Sequence, residues 1–141
     1  MKHSDPKIEH LKTIELFSAC THDELALISS KTTPHHAKAG EVLAGEGRVG
    51  HEFVVIVEGT AKVMVGGQQV ASLGPGDFFG EVALLDNGPR TATVIAETDL
   101  VAEVSSHREF QELVAGAPSV SHKMLVGLAH RLRAANLHLA T

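Results

Sequence analysis

The feature that most constrains this chain is its punctuation over residues 32–105, where short β-rich runs are broken repeatedly by glycine. Turn signals fall at Ala39-Gly40, Gly47, Gly50, Glu58-Gly59, Gly66-Gly67 and Gly74-Pro75-Gly76-Asp77. Between them lie candidate strands at 32–38, 41–45, 52–58, 60–65, 69–73, 77–79, 91–97 and 100–105. Strands this short and this closely spaced predict a sandwich, jelly roll or barrel.

The flanks read as helices. Over 7–17, Ile8, Leu11, Ile14 and Phe17 recur at steps of three, which fits one helical face. Thr21-His22-Asp23-Glu24 is a capping-box signal that opens a second helix through Ser30. Ser106-His107-Arg108-Glu109 is another, opening a helix to about Ala115. Gly116-Ala117-Pro118 interrupts, and a last helix is expected to run to about Leu139. In it Met124, Leu128, Leu132, Ala135 and Leu139 form an apolar stripe, read as packing on the strands, with a dimer seam as the alternative.

Composition excludes several classes. With 141 residues, 43% hydrophobic and 21% charged, the chain reads as one globular domain, 1–141. Its single cysteine, Cys20, permits no internal disulfide, and a small hydrophobe's role is expected of it. A net charge of −5 argues against nucleic acid as the main partner. The first residues carry no signal-peptide pattern and nothing reaches a membrane-spanning length, so a cytoplasmic, membrane-free protein is the expectation.

Residues 79–94, F-G-E-V-A-L-L-D-N-G-P-R-T-A-T-V, carry the chemistry. Gly80 lets bare backbone approach a ligand. The run 81–85 reads as one helical turn, whose free N–H groups suit a phosphate oxygen. Arg90, after Asp86-Asn87-Gly88-Pro89, can return to the same anion with a fork of donors. Glu81 would repel a phosphate and makes sense as an acceptor for sugar hydroxyls. The bland reading is a surface turn with a Glu81–Arg90 ion pair.

The segment resembles the phosphate-binding cassette of the cyclic nucleotide-binding domain family. Its pattern F-G-E-x-A-L, then P-R-x-A-x-V, is matched by Phe79, Gly80, Glu81, Ala83, Leu84, Pro89, Arg90, Ala92 and Val94. The resemblance extends to A-G-E-V-L at 39–43, G-R-V-G-H-E-F at 47–53, V-E-G at 57–59 and L-G-P-G-D-F-F-G-E at 73–81. Arg48 departs from it, at a place where an acidic residue is common. The resemblance implies an antiparallel β-roll over about 32–105, with helices at about 7–30 and 106–139. It implies that Arg90 pairs with the cyclic phosphate and Glu81 accepts from the ribose 2′-hydroxyl. The backbone of Gly80, Val82 and Ala83 would add amide donors, with Phe79, Thr91 and Ala92 around them.

Base recognition is left open by the residues. In cGMP-selective members a threonine resembling Thr91 contacts guanine, whereas bacterial cAMP receptors use a hydroxyl there on the phosphate. The last helix is expected to cap the purine. There Ala135 replaces a threonine that often contacts it, leaving Arg131, Arg133 and Asn136 as the polar candidates. The ten histidines offer no metal set: His35 and His36 point to opposite faces of a strand. His122, His130 and His138 are each rotated by about 80° from the last. No metal and no other cofactor are expected.

The sequence therefore reads as a non-enzymatic, ligand-gated sensor of a 3′,5′-cyclic purine nucleotide, cAMP ahead of cGMP. It would signal to an effector protein on another chain, with a homodimer through the last helix as a further use of the stripe. Rival readings are a protein-interaction module that has lost its ligand and the sensor fragment of a transcription regulator. A cupin-type metal enzyme would need a histidine–histidine–glutamate set, which His51-Glu52 does not supply.

Overall fold

The computed structural model describes residues 6–45, 52–80 and 92–136. In chain order these form α1 (Pro6–Lys12), a 3-10 turn (Glu15–Phe17), α2 (His22–Lys31) and strands β1 (Thr33–Ala37), β2 (Val42–Ala44), β3 (Glu52–Glu58), β4 (Ala61–Val65), β5 (Gln68–Leu73), β6 (Phe78–Phe79), β7 (Thr93–Ala96) and β8 (Leu100–Ser106). Two helices follow, α3 (His107–Gly116) and α4 (Pro118–Asn136). The strands make two four-stranded antiparallel sheets, ordered β1-β8-β3-β6 and β2-β7-β4-β5. This is the expected β-roll flanked by helices.

Within the first sheet β3 is buried on both faces, which explains why it is apolar from Phe53 to Val57 without alternation. Val54 and Ile56 point between the sheets, joining Ala44, Phe79, Val94 and Ala102. Phe53, Val55 and Val57 point to the helices, where they meet Leu11, Phe17, Ile28, Phe110, Leu113 and Met124. The ring of Phe53 centres this second core, 4.8 Å from Phe110 and 5.8 Å from Phe78 between centroids. Pro34 in β1 removes a ladder donor and suits its edge position.

The turns follow their glycines. Gly66 and Gly67, at φ 58° and 80°, form the two-residue reversal that sets Val65 opposite Gln68. Both capping boxes form. Thr21 N–H donates to Glu24 Oε1 at 2.9 Å and Glu24 N–H to Thr21 Oγ1 at 3.1 Å; Ser106 and Glu109 repeat the pattern. Lys7 Nζ donates to the carbonyls of Ser29 and Thr32, fastening α1 across the C-terminal end of α2.

Two expectations are corrected. Residues 7–17 are not one helix: Thr13 N–H and Oγ1–H both donate to His10 O, and Ile14 is extended. The apolar face nevertheless survives, because Leu11, Ile14 and Phe17 remain buried on either side of the break. The stripe of the last helix is also not a single buried seam. Met124 is buried and Leu128 partly so, but Leu132 is 63% exposed, because the helix runs on past the edge of the core. Val120, one turn earlier, is the inward residue that the stripe omitted.

Candidate functional site

The expected phosphate loop is framed by two strands at one end of the roll. β6 is only two residues long, and its alternation splits them between the cores. Phe78 packs among the helices while Phe79 turns between the sheets, opposite Val54 of β3. Gly80 follows at φ 98°, a conformation that a residue with a Cβ adopts only under strain. On the other side of the segment Ala92 is half-buried, and Thr93 pairs with Met64 of β4. Both ends of the 81–91 segment are therefore anchored on neighbouring strand ends of opposite sheets.

Behind this frame is an apolar wall. Phe79, Val94 and Ala44 are buried in the inter-sheet core, and Val63 and Leu73 are half-buried against it. The ladder between β4 and β5 shifts register at Val63 and Met64, and Val70 in that stretch is 58% exposed. A purine or sugar face needs a surface of this kind. Sequence reasoning did not single out Val63, Val70 or Leu73 as site candidates. The signal available was the alternation of their strands, which assigns a face but not a ligand.

Of the expected site residues, Phe79 ends β6, Gly80 follows it, and Ala92 directly precedes β7. Glu81, Val82, Ala83, Arg90 and Thr91 lie outside the described residues, as do Gly47 and Gly50. Arg133 is exposed in the last turn of α4, and Asn136 is that helix's final residue. α4 reaches the site's flank earlier, where a Cβ placed on Gly127 would touch Phe78 Cζ at 3.4 Å. The helix backbone thus lies against the residue next to Phe79.

A separate cavity of about 340 Å³ opens beside the site. Thr33, Val104, Val54 and Phe79 form one row across the first sheet. The cavity is lined by Thr33, Val104 and Val54 of that row, together with Val42 and Leu43. At its rim His35 Nε2 and Glu41 Oε2 lie 2.7 Å apart, and this partner holds the Glu41 carboxyl below the usual carboxylate range. None of Phe79, Gly80 or Ala92 lines it. Near the helices, burial pushes the Cys20 thiol up to about 11, helped by the charge of Glu24, which fits a half-buried unreactive thiol. No helix among the described residues is long and apolar enough to cross a membrane.

Comparison with known proteins agrees with this architecture. The profile of the cyclic nucleotide-binding domain family matches residues 34–116. A cAMP-dependent protein kinase regulatory subunit from Hypocrea atroviridis is 36% identical over 104 residues, covering 74% of this chain and 22% of that protein. The cyclic AMP receptor protein of Thermus thermophilus is 31% identical over 134 residues, covering 92% of this chain and 62% of the receptor. The crystal structure of the Thermus thermophilus catabolite activator protein superposes with a TM-score of 0.80 at 31% identity, over 89% of this chain and 61% of that one. The chain thus spans less than two thirds of the length of each of these relatives.

Proposed function

Because the chain belongs to the cyclic nucleotide-binding domain family, we propose that it binds a 3′,5′-cyclic purine nucleotide, cAMP ahead of cGMP, as a ligand-gated regulatory module. The observation that carries the reading is the frame around 81–91. A positive-φ glycine and two anchored strand ends flank the segment that bears Glu81 and Arg90, with an apolar wall behind it. Arg90 takes the cyclic phosphate, together with the amides of Gly80, Val82 and Ala83. Glu81 accepts from the ribose 2′-hydroxyl, and Thr91 adds a hydroxyl at the phosphate. Phe79 and Ala92 hold the two ends of the loop, while Arg133 and Asn136 are the polar groups of α4 that reach the base.

Residues 1–141 act as one domain in this reading, since α1, α2, α3 and α4 share one core with the first sheet. The domain carries out no chemistry. It works in the cytoplasm, and its output is a contact with an effector protein on another chain. The cAMP preference is supported by relatives described as a cAMP-dependent kinase subunit and a cyclic AMP receptor. Calorimetric titration with cAMP, cGMP and 5′-AMP tests the proposal. Saturable binding of cAMP, weaker binding of cGMP and none of 5′-AMP is expected. Equal affinity for cyclic and acyclic nucleotides would remove the reading.

A further inference from the structure

One carboxylate serves the N-termini of two helices that lie far apart in the chain. Glu24 Oε1 accepts from Thr21 N–H at 2.9 Å and from Ser119 Oγ–H at 2.8 Å, while its Oε2 accepts from Ser119 N–H at 3.0 Å. The first two residues belong to the capping box of α2 and the start of α4 respectively. α4 needs this help. It begins with Pro118, which has no N–H, and the residue before it is Ala117, which has no side-chain acceptor. Val120 and Ser121 donate back to Ala117 O, so Ser119 carries the first-turn N–H that must look elsewhere. Glu24 is only 8% exposed, and a carboxylate that deep is tolerated because these bonds replace its water.

The rest of α4 is fastened unevenly. Its first two turns are secured by Ala117, Val120 and Met124 in the core and by Lys123 Nζ donating to Glu15 Oε1 at 2.7 Å. Gly127 then rests on Phe78, beside the site. Further on, Leu132 is exposed, as Leu125 is on the outer side of an earlier turn. The helix therefore has a pinned end at α2, and it passes Phe78 of β6 before reaching the exposed Leu132.

We infer that Glu24 is a positioning residue for ligand binding: it pins the first turn of α4 to α2, so that the helix meets the nucleotide about a fixed pivot. The inference rests on the proposed function for its ligand but not for its geometry. A helix pinned at one end has few orientations left to lose when its other end closes. Released from Glu24, the same closure must also order the first turn, and that ordering cost is drawn from ligand affinity.

The test uses the full chain with Glu24→Ala, Glu24→Gln and the milder Ser119→Ala, and Glu41→Gln as a carboxylate-removal control between β1 and β2, outside both α2 and α4. Hydrogen exchange without nucleotide should rise at least tenfold over 119–124 in Glu24→Ala while β3 and β8 stay protected. Calorimetry should show cAMP affinity reduced about fivefold in Glu24→Ala, less in Glu24→Gln and Ser119→Ala, and unchanged in Glu41→Gln. If Glu24→Ala does not fold, Ser119→Ala carries the test, since it removes one of the three bonds and leaves the carboxylate in place. Parent-like exchange over 119–124 overturns the pin. Raised exchange with unchanged or tighter cAMP binding overturns the positioning role. A parent protein that binds no cyclic nucleotide removes the proposed function alone, because the exchange arm decides the pin without ligand.

Discussion

At the scale of single residues, two positions separate stability from recognition. Gly59 turns the chain between β3 and β4 at φ 87°, and a Cβ there would strike Asp99 O and come within 2.9 Å of Leu100 Cα. Both obstacles are backbone, so neither can swing aside. Gly59→Ala should cost about 1–3 kcal/mol from the strained φ, and more from the clash. A urea melt with an unchanged midpoint would contradict this. Glu81 makes the opposite case, a residue expected to matter for ligand and little for folding. A hydrogen bond to a charged acceptor contributes about 1.5–3 kcal/mol. The parent should therefore prefer cAMP over 2′-deoxy-cAMP by that margin, and Glu81→Gln should lose most of the preference. A parent that binds both alike would assign Glu81 another role.

At the scale of elements, the helices show which signals are local. Both capping boxes were legible because their partners sit three residues apart. The break after Lys12 was not, because a helix and a 3-10 turn can keep the same inward face. The register of α4's apolar stripe was also beyond the sequence, since burial ends where the helix outruns the core, as Leu132 shows. Glu24 links these elements, and its acid behaviour follows. The backbone N–H groups of Thr21 and Ser119 hold its carboxyl below the usual carboxylate range, outweighing burial. A lowered folded-state value means that its stabilisation is present above the unfolded carboxyl's pKa and is lost as pH falls through the folded one. Thermal melts between pH 6 and pH 3 should show the parent losing stability below about pH 4.3 more steeply than Glu24→Gln. Parallel curves would mean that Glu24 gains nothing from those bonds. Adding cAMP should also protect 81–91 and change exchange over 119–136; an unaltered helix would remove it from the ligand response.

At the scale of the whole molecule, the glycine-broken runs pointed to a sandwich, jelly roll or barrel, because short strands alternate with turn residues, and the antiparallel roll was implied by the family resemblance. What they could not specify was pairing between distant strands, such as the row Thr33, Val104, Val54 and Phe79. In that row β6 is the edge strand of the first sheet, with Phe79 turned into the inter-sheet core and Gly80 directly after it. The motif at 79–94 offered a chemistry from sequence alone, whereas the apolar surface that Val63 and Leu73 add beside Phe79 came only from the fold. Both meet in one claim, that Arg90 holds the phosphate of a cyclic nucleotide over this wall. The direct measurement is calorimetric titration of cAMP into the parent and Arg90→Ala. Stranding the phosphate without its cation should cost roughly 2–5 kcal/mol, a loss of about thirtyfold to several thousandfold in affinity. Affinities within about threefold of each other, under ~1 kcal/mol, would contradict the account.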